Sequence, residues 1–267
     1  MRVAFQGEKG AYSEEAAIKY WDGEAQTLPR PYLQDVFRAV EEGEADLGIV
    51  PVENSIEGTV ARTLDLLYER TLKIQGETVL KVRHCLIANP GVKLEDVKRV
   101  HSHPQALGQA RAFLERRGYE PVNEYDTAGS VKLIKEKGLV DAAAIAGRGA
   151  AEIHGMEVLS EGIETHSMNL TRFLAIGAGE VGPTGRDKTS LAFTLGQAGA
   201  LTEALNSFTG VQLLRIDTRP QPGEPWAYVY FVDLEGHIEE HSVMCAIEKL
   251  EEQVDHVKHL GSFPRAT

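Results

Sequence analysis

Three short polar clusters stand beside the ends of apolar stretches. Glu53-Asn54-Ser55 follows the strand-like run Leu47 to Val52, and Ser102-His103-Pro104-Gln105 follows Val97 to His101. Asn169-Leu170-Thr171-Arg172-Phe173 opens the apolar run Leu174 to Ile176. Singly, each reads as a cap or a turn. Together they offer hydroxyl, amide and guanidinium donors with one fixed cation, a set suited to a small carboxylate held in a cleft. No Ser-His-Asp or Cys-His arrangement is apparent, so the pattern does not suggest covalent catalysis.

Other motifs carry less. His237-Ile238-Glu239-Glu240-His241 spells H-x-x-E-H, but a catalytic zinc needs a third protein ligand, and the short remaining tail offers only His256 and His259. No metal site is expected. Gly182 to Thr189 imitates a phosphate loop, yet no glycine directly precedes Lys188. Gly7-Glu8-Lys9-Gly10 lacks the dinucleotide spacing. It remains a turn at which a following helix would aim free N–H groups.

The elements that must position these residues alternate over the first 160 or so positions. Arg2 to Gln6 reads as a strand, then Ser13 caps a helix through Trp21. Leu33 to Glu42 has helical periodicity and stops at Gly43, and Thr59 to Tyr68 is a further helix. After extended segments from Leu72 to Ala88, a strand at Val97 to His101 leads into a helix from Pro104 to Arg117, ended by Gly118. Strand, helix and strand follow at Tyr119 to Asn123, Ser130 to Lys137 and Ala142 to Ala146. This rhythm predicts two α/β lobes of mainly parallel sheet with a ligand cleft between them. Gly177 to Gly185 reads as a linker. Beyond it the order is βαββαβ, the ferredoxin-like pattern.

Composition sets outer limits. The chain has 267 residues, with 28 Lys+Arg against 40 Asp+Glu and a net charge of −12. Such a balance repels a phosphate backbone, and the basic residues do not cluster, so nucleic acid is an unsuitable partner. No apolar run reaches the length of a membrane helix, and the start lacks a signal-peptide pattern, so the expected compartment is the cytoplasm. The two cysteines, Cys85 and Cys245, lie too far apart in sequence to form a metal or redox motif.

Read in order, the clusters resemble prephenate dehydratase, the family that turns prephenate into phenylpyruvate in phenylalanine biosynthesis. The resemblance rests on Val52-Glu53-Asn54-Ser55-Ile56-Glu57-Gly58, on Ser102-His103-Pro104-Gln105 through Gln109, on Thr127-Ala128, and on Thr171-Arg172-Phe173. Toward the C-terminus, Gly199-Ala200-Leu201 and Arg219-Pro220 resemble the family's ACT regulatory domain. The resemblance implies an α/β catalytic domain, 1–178, with two lobes like a periplasmic binding protein (1–76 with 161–178, and 77–160). A ferredoxin-like ACT domain would follow at 186–267. By position, Thr171 would donate toward the departing ring hydroxyl, and Arg172 would hold a substrate carboxylate, directly or by shaping the pocket. Ser13, Glu53, Asn54, Ser102, Gln109, Thr127 and Phe173 would complete the substrate site. Phenylalanine, as allosteric effector, would meet Gly199, Ala200, Leu201, Asp217, Thr218, Arg219 and Pro220 between paired subunits of a homodimer or homotetramer.

The implied chemistry needs no cofactor, since loss of CO2 and water aromatises the ring. Two departures stand out: Asp217-Thr218 replaces the family's usual Glu-Ser before Arg-Pro, and Glu8, Ala11 and Tyr12 depart from its commoner opening loop. The alternatives are arogenate dehydratase, whose substrate carries an amino group in place of the keto group, and a non-catalytic binder of small carboxylates.

Overall fold

The computed structural model describes residues 1–196 and 201–266, arranged around three sheets. In the first, strands run in the order Gln26–Arg30, Arg2–Gln6, Leu47–Asn54, Leu170–Gly177, Lys73–Lys81, with Gly58–Thr59 pairing off Leu47–Asn54. The second runs Glu157–Glu161, Cys85–Ala88, Ala142–Ala146, Arg99–Ser102, Glu120–Asn123. Both are mixed, because the strands nearest each crossing run antiparallel to their neighbours while the outer βαβ units stay parallel. The mainly parallel sheets expected from the rhythm therefore hold only for part of each lobe. Lys73–Lys81 lies wholly in the first sheet and Glu157–Glu161 in the second. The chain thus crosses after residue 81 and returns after 161, rather than crossing at 76.

Helices form where the apolar period is helical. In Leu33–Glu41 the buried Leu33, Val36, Phe37 and Val40 make one stripe against the first sheet. The helix expected from Pro104 to Arg117 is two, Pro104–Gln109 and Arg111–Arg117, broken at Ala110. Ser13 lies inside the helix Tyr12–Tyr20, whose N-cap, Ala11, makes no side-chain cap bond.

The last part of the chain forms Asp187–Thr194, Leu201–Asn206, Leu213–Pro220, Tyr228–Glu235, His241–Glu251 and His256–Pro264, in the expected βαββαβ order. Its strands make an antiparallel sheet with Leu213–Pro220 at one edge. The three units share cores. Ala192, Val229, Phe231, Leu260 and Phe263 pack with Val36, Phe37, Leu64 and Leu67 of the first lobe. Val3, Phe5 and Ala17 pack with Val131, Ile134 and Ala144 of the second. Burying a side chain such as Phe231 at these junctions contributes roughly 1.5–3 kcal/mol. Two glycines permit the close approaches. A Cβ on Gly10 (φ +89°) would sit 2.5 Å from Ala150 Cα, and one on Gly261 (φ +151°) 2.3 Å from the Ile74 carbonyl.

Candidate active site

The strand Leu170–Gly177 is the hub. It pairs with Leu47–Asn54 in a register that sets Thr171 opposite Asn54 and Arg172 opposite Glu53. The ladder shifts before Phe173, which faces Pro51, a residue with no N–H to give. Because strand side chains alternate, Thr171 and Phe173 face one side and Arg172 the other. The first side opens into a cavity of about 290 Å³ between the lobes. Its lining includes Ser13, Asn54, Gln109, Thr127, Thr171 and Phe173, so six of the expected substrate or catalytic residues converge there.

Three do not. Ser102 is fully buried, and its hydroxyl donates to the Ile145 carbonyl at 2.7 Å, fastening two strands of the second sheet. Glu53 and Arg172 turn away from the cavity, as period two requires. Arg172 cannot hold a substrate carboxylate directly, because its guanidinium is committed to Asp233 at 2.9 Å, Glu77 at 3.3 Å and Glu53 at 3.6 Å. Burial opposes its charge, but these three carboxylates outweigh it and raise its pKa.

Asn54 fixes the donor geometry of the cavity. Its Oδ1 accepts the backbone N–H groups of Ile56 and Glu57 at 2.9 and 3.0 Å. The amide orientation follows, and Nδ2 must face Asn169 Oδ1 (2.7 Å), the Leu170 carbonyl (3.2 Å) and Thr171 Oγ1 (2.9 Å). Thr171 therefore accepts from Asn54, and its own proton is left for the cavity. Among the described residues, no histidine or carboxylate is hydrogen-bonded to the hydroxyl of Ser13, Thr127 or Thr171. The cavity offers donors rather than an activated nucleophile.

Among the described residues, no lysine or arginine lines the cavity. Two helix N-termini reach it instead. Tyr12–Tyr20 from the first lobe and Thr127–Glu136 from the second both bring their first turns to the lining. Asp126, the one acid in the lining among the described residues, caps the second helix by accepting from Gly129 N at 2.6 Å. Burial raises its pKa, as does Glu8, against the pull of that N–H.

Sequence reading missed Tyr12 and His84 in the lining, and did not include Asn169 among the site residues. Nothing in the run Val82 to Ile87, where His84 follows Arg83, marks it as a site residue. The motif His237 to His241 leaves both His237 ring nitrogens occupied, Nε2 by the Val181 carbonyl (2.9 Å) and Nδ1 by Glu239 N (3.2 Å).

The expected effector residues lie on the edge strand Leu213–Pro220 and at the start of Leu201–Asn206, while Gly199 and Ala200 lie outside the described residues. Within the chain, Asp217 meets Arg215 (2.6 Å) and Thr59, and Arg219 forms a two-toothed pair with Asp65 (2.7 and 3.1 Å). Thr218 and Pro220 share that strand.

The family model for prephenate dehydratase matches residues 3–181. A bifunctional chorismate mutase/prephenate dehydratase of Neisseria gonorrhoeae is 39% identical over 271 residues, covering 100% of this chain and 75% of that protein. Prephenate dehydratase from Arthrobacter aurescens, solved in complex with L-Phe, aligns with a TM-score of 0.90 at 32% identity, over 99% of this chain and 90% of that one. The structure of GqqA, described as a novel type of quorum quenching acylase, aligns with a TM-score of 0.91 at 34% identity, over 99% of this chain and 98% of that one. The match spans both lobes and the strand that carries Thr171, and the chain belongs to the prephenate dehydratase family.

Proposed function

We propose that the inter-lobe cavity carries out the decarboxylating dehydration of prephenate to phenylpyruvate. The C–C bond to the ring carboxylate breaks and releases CO2. Its electron pair moves through the ring and expels the 4-hydroxyl, which leaves as water after gaining one proton. The observation that carries this reading is the Thr171 hydroxyl, held as an acceptor by Asn54 so that its proton points at the cavity. A hydrogen bond there stabilises the leaving hydroxide as charge develops, without the full transfer that a neutral threonine supports poorly. The helix N-termini and the shaped walls orient the dianion.

The βαββαβ unit at 186–267 is an ACT regulatory domain in this reading, and 1–178 is the catalytic domain. L-phenylalanine is the effector, acting through Leu201 and Asp217 to Pro220 together with Gly199 and Ala200, in a cytoplasmic homodimer or homotetramer. The phenylalanine-bound relative supports the effector.

A prephenate assay with and without phenylalanine tests activity and regulation together, with arogenate as the comparison substrate. Thr171→Ala should lower phenylpyruvate formation by about 10²–10³ with an unchanged melting temperature. Near-parental turnover by that variant would remove Thr171 from the mechanism.

A further inference from the structure

His84 stands where the chain crosses from the first lobe to the second, between Lys73–Lys81 and Cys85–Ala88. It is 2% exposed, yet its ring lines the cavity. Nδ1 lies 2.8 Å from the Tyr12 hydroxyl of the first lobe, and Nε2 lies 2.8 Å from Gln109 Oε1 of the second. The backbone is held too: His84 N donates to Glu164 at 2.9 Å, and the His84 carbonyl accepts from Gly162.

The direction of the bond at Nε2 can be worked out from groups that have only one role. Asn54 Oδ1 accepts from two backbone N–H groups, so Asn54 Nδ2 donates to Asn169 Oδ1. Asn169 Nδ2 then donates to Gln109 Oε1 at 2.7 Å. Gln109 Nε2 faces the Glu57 carboxylate at 3.2 Å, which can only accept. Both ends agree that Gln109 Oε1 is an acceptor, so the proton between it and His84 sits on Nε2. In the neutral ring Nδ1 is bare and takes the Tyr12 proton, although the Arg83 carbonyl lies 3.0 Å from the same hydroxyl. Burial pushes the His84 pKa below its ordinary value, with Gln109 and Glu164 opposing, and this favours the uncharged ring.

We propose that His84, as the neutral Nε2–H tautomer, is a positioning residue that fixes Gln109 and, through Asn169 and Asn54, the aim of the Thr171 hydroxyl. The chain Tyr12–His84–Gln109–Asn169–Asn54–Thr171 ties both lobes to one donor direction. This inference rests on the reaction proposed above, but not all of its test does.

The test uses the full-length protein and two variants. His84→Leu keeps an apolar filler and no hydrogen bonds, and should lower kcat by about tenfold to a hundredfold, with KM within about threefold. His84→Gln places an N–H near the Nε2 position and should return kcat to within about threefold of the parent. Parental kcat in His84→Leu, or a His84→Gln variant as slow as His84→Leu, would overturn the proposal. Nitrogen NMR of the unaltered protein at neutral pH needs no turnover. It should show His84 protonated at Nε2 and bare at Nδ1, and an Nδ1–H tautomer or an imidazolium would overturn the proposal even if prephenate were not the substrate.

Discussion

Thr171 and Arg172 are consecutive, yet they belong to regions built on opposite principles. On the Thr171 side the groups nearest it are neutral amides and hydroxyls, and each bond has a fixed direction. On the Arg172 side lies a cluster of full charges, buried except for Glu53, at the junction with the βαββαβ unit. There Glu77 pairs with Arg172 and Lys188 (2.7 Å), while Asp233 pairs with Arg172 and takes the Ser190 hydroxyl at 2.6 Å. Glu53 stands 3.6 Å from both Arg172 and Arg215. Neutral groups suit the cavity, since a donor can be aimed there without a fixed charge competing for the substrate. Charges suit the junction, since paired partners hold two sheets in one register. A strand's period of two divides one short motif between these tasks.

The comparison breaks first at Arg172. Arg172→Met should destabilise the fold by about 3–5 kcal/mol, because Asp233 and Glu77 lose a buried partner. Denaturant unfolding would measure this. For the folded fraction, KM for prephenate should stay within about threefold, whereas a residue gripping substrate would raise it far more. Adding Asp233→Asn to Arg172→Met should recover part of the loss, since the stranded charge is then gone.

A milder test uses acid. His259, in the strand that packs on Lys73–Lys81, has its pKa lowered from 6.5 to about 4, chiefly by burial and then by Lys73. Between those values the unfolded chain binds a proton that the folded chain refuses, so stability should fall as pH drops from 6.5 toward 4. Asp233 acts lower. Arg172 and Arg215, against burial, depress its pKa, so its contribution persists through that window and is lost only below the ordinary carboxylate range. His259→Asn should flatten the decline above pH 4, which melting temperatures at stepped pH would reveal. An unchanged slope would remove His259 from the account.

Much of the architecture could be read from the sequence because it is local. The stripe Leu33, Val36, Phe37 and Val40 and the βαββαβ order needed only periodicity. The cavity lining at Asn54, Gln109, Thr127 and Thr171 came from the family resemblance. The errors lie where a side chain's partner is far away in sequence. Ser102 beside His103 looks like a site residue until its hydroxyl meets Ile145, 43 positions on. Arg172 looks like the one free cation until Asp233 appears, 61 positions on. His84 gave no signal, since its partners Tyr12 and Gln109 lie 72 and 25 positions away. The opposite facing of Thr171 and Arg172 was available from strand period alone.

The aim of the Thr171 proton is the central claim, and Asn54→Asp tests it most directly. The carboxylate keeps the shape and can still accept from Ile56 and Glu57, but it cannot donate to Thr171, so the threonine proton should turn back toward it. Steady-state phenylpyruvate formation should show kcat lowered by roughly a hundredfold with KM changed far less. A variant that keeps the parental kcat would contradict the account.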